Sequence, residues 1–180
     1  MRRPARFAAI AWFVATLCSA GWDVLPSPVQ AAGDAGTIAA SSRFEVSGQV
    51  GAPKTFELAD LQAEPTTTET VYFNTGKGPV SATFTGVLLW TLLQELDLET
   101  DPAVRNDILR RVIVVTGTDG YRVALSAGEL DPKFGGELAI VAYLQDGEPL
   151  GENGGFARLI VPGDKAGGRN VASIAKIEVR

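Results

Sequence analysis

The chain has 180 residues, 46% of them hydrophobic, with 16 basic and 21 acidic side chains, one cysteine and no histidine. Its formal net charge of −5 argues against nucleic acid or an anionic membrane surface as a partner. The only cysteine, Cys18, lies in an apolar leader, which excludes a Ser-His-Asp triad, a cysteine nucleophile, a His- or Cys-based zinc or haem site and a disulfide within the mature domain.

Arg2, Arg3 and Arg6 form a basic start, and Phe7 to Trp22 carries no charge. That run is short for a bilayer span, which needs ~20 apolar residues, and suits the h-region of a signal peptide. Pro26 and Pro28 break the helix, and Val29-Gln30-Ala31 supplies the small side chains that a signal peptidase reads. Residues 1–31 are therefore read as a signal peptide cleaved after Ala31, with Ala20 as the second site and an uncleaved anchor as the alternative. Leu17 is too bulky for lipoprotein processing at Cys18. Arg2-Arg3 raises the twin-arginine route, but Pro4 and Ala5 break its pattern, and the strongly apolar leader favours secretory export of an unfolded chain. The expected location is periplasmic or secreted. Removing three Arg and one Asp with the leader takes the charge from −5 to −7.

Residues 32–42 (AGDAGTIAASS) are small and polar, a flexible lead-in. A single domain follows over 43–180, long enough to be stable by burial alone. Phe44 to Val50 alternates apolar and polar, predicting a half-buried strand. Gly51 to Pro53 is a turn, Phe56 and Leu58 have strand character, and Ala59 to Gln62 predicts one helical turn. Thr66 to Phe73 is β-branched and aromatic, a strand, and Asn74 to Pro79 a glycine-rich turn before a strand over Val80 to Phe84. From Val87 to Leu96 the spacing becomes helical, with Thr85 as the cap. Asp101-Pro102 predicts a short helix to about Arg110, on which Asp107, Arg110 and Arg111 read as exposed charge.

Val112 to Thr116 and Tyr121 to Leu125 predict a hairpin, and Ser126 to Leu130 another short helix. Leu138 to Leu144, Ala157 to Val161 and Ile174 to Val179 are the remaining strands, with a turn at Asp146-Gly147 and a basic glycine-rich loop over residues 163–170. Many short strands with a few short helices predict an α+β fold of mixed sheets around one core. Trp90 reads as core among leucines, and Tyr121 as an aromatic packed over the sheet. Asp119 and Glu129 lack the partner spacing of paired-carboxylate catalysis.

Four segments in order resemble the sulfite-oxidase-type oxidoreductase molybdopterin-binding domain family. They are Phe84-Thr-Gly-Val-Leu-Leu-Trp-Thr-Leu-Leu93, Val115-Thr-Gly-Thr-Asp-Gly-Tyr121, Asp146-Gly-Glu-Pro-Leu150, and the stretch from Arg158-Leu-Ile-Val-Pro-Gly163 through Gly168-Arg169 to Ile177-Glu-Val179. The resemblance spans about residues 44–180 and implies the sulfite-oxidase fold, with molybdopterin as the family's cofactor and oxygen-atom transfer as its chemistry.

The departures are as informative. Family enzymes ligate molybdenum through a cysteine upstream of the first segment; here Val71 to Gly76 holds none, and Asn74 stands there with an amide oxygen ill suited to a soft site. Ala172 replaces a lysine that helps hold the cofactor, and the histidine-bearing N-terminal segment of several family enzymes is missing. Secretory export would also preclude insertion of the cofactor before export. The resemblance thus implies a degenerate member with no catalytic or metal-ligating residue.

Two readings stay open at Asn74 to Lys77, as a plain turn or as the remnant of the cofactor pocket. Lys165, Gly167, Gly168, Arg169 and Asn170 make the best anion site, since glycines admit an anion to the backbone and Arg and Lys supply donors; the alternative is a solvated loop. The expected cofactor-contacting residues are Asn74, Lys165, Gly168, Arg169 and Asn170. The expected function is ligand binding, of a small anion, or interaction with a periplasmic or membrane-bound protein, without a cofactor. The alternative is an oxidoreductase that keeps molybdopterin with a non-cysteine metal ligand. A domain with no ligand is the third possibility.

Overall fold

Alternating burial organises most of this chain into strands. The computed structural model describes residues 41–151 and 154–180, so the expected signal peptide, its cleavage site and most of the lead-in lie outside the described residues. In chain order the elements are β1 (Arg43–Gly48), β2 (Lys54–Glu57), α1 (Leu58–Ala63), β3 (Thr66–Thr75), β4 (Gly78–Leu88) and α2 (Leu89–Glu95). They continue with β5 (Val112–Gly117), β6 (Arg122–Ser126), α3 (Ala127–Leu130), β7 (Ile140–Gln145), β8 (Glu148–Pro149), β9 (Arg158–Ile160) and β10 (Ile174–Val179). Single 3-10 turns occupy Asp107–Arg110 and Gly167–Arg169.

Two sheets result. The first has the order β2-β1-β10-β5-β6, in which β1 and β10 run parallel and the other neighbours antiparallel. The second runs β3-β4-β7-β8, with β9 also paired to β7. Phe44, Val46, Ile113, Val115, Ile177 and Val179 of the first sheet share one core with Leu61 of α1 and Leu89, Leu92 and Leu93 of α2. Val87, Val141, Tyr143 and Leu159 contribute the second sheet's side of it. The opposite face of the second sheet carries another apolar cluster of Val71, Phe73, Ala82, Phe84, Ile140, Ala142 and Ile160. Burial on both faces explains why β7 (IVAYLQ) reads as a continuous apolar run instead of an alternating strand.

Three local expectations are corrected. The strand after the first hairpin does not stop at Phe84: β4 runs to Leu88, and Leu88 instead of Thr85 is the N-cap of α2. Thr85 sits in the ladder, its hydroxyl 3.0 Å from that of Thr68. Gly86 permits this, because a Cβ there would come within 2.2 Å of the Val141 carbonyl oxygen. The glycine-rich turn is also narrower than its sequence suggests, since β3 and β4 stay paired from Thr66↔Val87 to Thr75↔Gly78.

The helix expected from Asp101 is replaced by turns. The Asp101 carboxylate accepts from the Ala103 N–H at 2.9 Å, and Asn106 adopts a left-handed conformation (φ 54°) that helical progress does not tolerate. Asp107 is buried at 4% exposure instead of solvated. Its oxygens accept from the Asp101 N–H at 2.9 Å, Arg110 at 3.0 Å and Arg111 at 2.7 Å.

Candidate functional site

The end of β3 and residues 163–170 meet through the backbone. The Asn74 N–H donates to the Lys165 carbonyl at 3.0 Å, and its side-chain amide reaches the same oxygen at 3.3 Å. A parallel bridge joins Asn74 to Ala166. One turn further, Gly167 lies against the Phe73 ring so closely that a Cβ would meet it at 2.8 Å. Asn74 and Lys165 are thus brought together, and both border a cleft of about 490 Å³ with Tyr72, Pro79 and Ser81.

The rest of the loop is engaged elsewhere. Tyr121 is half-exposed; instead of packing over the sheet it donates its hydroxyl to the Gly168 carbonyl at 2.6 Å. Arg169 forms a two-pronged pair with Asp164, Nε to Oδ2 at 2.9 Å and Nη2 to Oδ1 at 2.7 Å. Its remaining nitrogen, Nη1, donates to Glu129 at 3.2 Å. The hydrogen bonds to Asp164, followed by those to Glu129, hold its pKa above the ordinary arginine value against partial desolvation. Glu129 also accepts from the Ser126 N–H at 2.7 Å in the capping box that starts α3.

Two carboxylates therefore already face the Arg169 guanidinium, which leaves it little attraction for a further anion. Asn170 is buried and accepts from the Val161 N–H at 3.0 Å through Oδ1, while its Nδ2 has no partner. It braces the two ends of the loop.

A residue quoted in the family-like segment but not among the expected cofactor contacts stands out. Arg158 on β9 pairs with Ala142 of β7 and shares its face with Ile160, within the second apolar cluster. Its guanidinium carbon lies 5.7 Å from the Phe84 ring centre. It makes no hydrogen bond or ion pair among the described residues, its Nε is buried without a partner, and burial lowers its pKa. Buried cations are ordinarily paired, because desolvation without compensation is costly. The signal was present in sequence: in Ala157 to Val161, period-two alternation puts Arg158 on the face of apolar Ile160.

No group of three or more His, Cys, Asp or Glu side chains capable of holding a metal occurs among the described residues. The turn joining β3 and β4 carries Gly76 and Lys77 and no thiolate, and Ala172, where a cofactor-holding lysine was expected, is an apolar side chain beside buried Ser173. The residues present suit an anion at Arg158. They do not suit a soft metal centre, which thiolate ligands favour.

A sequence model of the oxidoreductase molybdopterin binding domain matches residues 32–180. The crystal structure of the sulfane dehydrogenase SoxCD from Paracoccus pantotrophus superimposes with a TM-score of 0.64 at 22% sequence identity. The match covers 80% of this chain and 40% of that one, so the matched part spans less than half the length of that chain, and the two share the fold. No curated protein matches the sequence.

Proposed function

Since the chain belongs to the oxidoreductase molybdopterin-binding domain family, we propose that it is an exported member of the family that binds an anionic, phosphate-bearing ligand of the molybdopterin class at Arg158 and does not hold molybdenum through a protein side chain. The observation that carries this reading is the half-buried Arg158 guanidinium beside Phe84, whose buried Nε has no partner among the described residues. Its planar fork of donors suits a phosphate oxygen pair, and an incoming anion would supply a counter-charge that none of the described residues provides. Asn74 and Lys165 line a separate cleft at the end of the same sheet, where the Lys165 ammonium has no ion pair among the described residues.

When a metal-loaded pterin is bound, that group carries the redox chemistry in this family; the residues here supply anion recognition and no ligand for the metal. No oxygen-transfer step is assigned to this chain on that account. Export rests on the N-terminal leader, and substituting Arg2-Arg3 by Lys-Lys is expected to leave it unaffected if the chain follows the general secretory route.

The test is the metal and pterin content of the mature protein from its own compartment, by mass spectrometry and by fluorescence of oxidised pterin. Molybdenum far below one per chain is expected. Molybdenum near one per chain with a protein side chain among its ligands by X-ray absorption would overturn the proposal and make the protein an oxidoreductase with a non-cysteine metal ligand, and a folded protein that carries and takes up no pterin would overturn the ligand class.

A further inference from the structure

A second cleft lies away from the β3 end and Arg158, between α2, the turns over residues 97–108 and the turn over residues 131–134. Its volume is about 500 Å³. Trp90, Ile108 and Phe134 give it apolar walls, and Phe134 is 44% exposed at its mouth. Asp97 and Asp101 also line it, and Lys133 is the single cation among the lining residues.

Asp131 decides what the cleft suits. It lines the cavity at 6% exposure. One carboxylate oxygen accepts from the Lys133 N–H at 2.9 Å, a bond within its own turn, and the other has no donor among the described residues. The Lys133 ammonium makes no ion pair with it. Asp107, the other buried carboxylate of the lining, differs, because Arg110 and Arg111 neutralise it. A carboxylate buried to this degree is normally matched by a cation; among the described residues none is paired with Asp131, and its second oxygen is not sealed off from the cleft it lines.

We propose that this cleft binds a small organic cation, an ammonium or guanidinium group on an apolar body, with Asp131 as its counter-charge and the Trp90 ring against its apolar part. An indole face attracts a cation as well as covering hydrocarbon, and the rim carboxylates of Asp97 and Asp101 would draw cations toward the opening. The site is independent of the anion reading at Arg158, and failure of either leaves the other standing.

Phenethylammonium is the probe, with 2-phenylethanol as its neutral analogue of similar shape, in calorimetric titrations of the whole mature protein at low salt. The cation is expected to bind at least about tenfold more tightly than the alcohol, the discrimination one desolvated charge contact provides. Asp131→Asn retains the acceptor for the Lys133 N–H and removes the charge, and is expected to abolish that preference with an unchanged circular dichroism spectrum. If Asp131→Asn does not fold, the wild-type salt dependence decides: cation affinity should fall with added salt while that of the alcohol does not. Equal affinity for the two probes, no binding of the cation at millimolar concentration, or an Asp131→Asn variant that binds as wild type would each overturn the proposal.

Discussion

Replacing Arg158 by Met should make the ligand-free protein more stable, the reverse of what removing an arginine from a structural ion pair does. The buried Nε has no acceptor, and relief of an unsatisfied buried donor is worth about 1–3 kcal/mol. Against this, the contact with the Phe84 ring at 5.7 Å is lost, a loss of about 0.5–1 kcal/mol. Methionine preserves a hydrocarbon stem of similar length on β9. The balance is a gain on the order of 1 kcal/mol, or about 3 °C in melting temperature for a domain of this length.

Adding pyrophosphate should invert the order. At a hundredfold excess over its dissociation constant it stabilises the wild type by about 2.7 kcal/mol and the variant not at all. Scanning calorimetry of both proteins with and without pyrophosphate, with sulfate as the simpler anion, measures all of this. A Met variant destabilised in the absence of ligand would show that Arg158 is structural. An undiminished pyrophosphate shift in the variant would place the anion elsewhere.

Other substitutions probe the surrounding argument. Arg169→Ala should lower stability by only about 1 kcal/mol, as for a partly exposed pair, and leave the pyrophosphate shift intact, since Asp164 and Glu129 already offset its charge; a lost shift in the melting curves would return the anion site to the loop. Gly86→Ala should cost about 3 kcal/mol or more, because the new methyl collides with the β7 backbone, read as a lower urea midpoint at unchanged slope.

Asp107 is held below its ordinary pKa, first by the Asp101 N–H and then by Arg111 and Arg110, against desolvation. A depressed folded-state value contributes stability above the unfolded carboxylate pKa and loses it as pH falls through the folded one. Unfolding curves of the wild type and Asp107→Asn should therefore differ at neutral pH and converge progressively below about pH 4.

How much of this was legible in sequence depended on whether the cause was local. The alternation in Phe44 to Val50 and the turn residues at Asp146-Gly147 act within a few residues, and β1 and the β7–β8 turn follow from them. Ser126 with Glu129 is a self-contained capping box, and α3 starts there. The β4–α2 boundary was not legible, because the apolar run from Val87 satisfies strand and helix periods alike. What extends the strand is the approach of β7, more than fifty residues away, against Gly86.

Asp107 read as solvated because its spacing to Arg110 and Arg111 is that of an exposed helix. Its burial follows from the folding back of the turn carrying the Asp101 N–H. Likewise Arg169 has the composition of an anion ligand in sequence, and only the fold brings Glu129 to it, 40 residues away.

The place of β10 between β1 and β5 bears on the birth of the protein. Strands made first and midway through synthesis have no edge in common until the segment from Ile174 to Val179 arrives to join them. A chain emerging from the ribosome therefore cannot close its first sheet until Ile174–Val179 has been made, more than a hundred residues after β1, and the non-local pairing makes that closure slow. Until then the nascent polypeptide remains open to chaperones, and deleting residues 174–179 would leave β2-β1 and β5-β6 as two unjoined pairs.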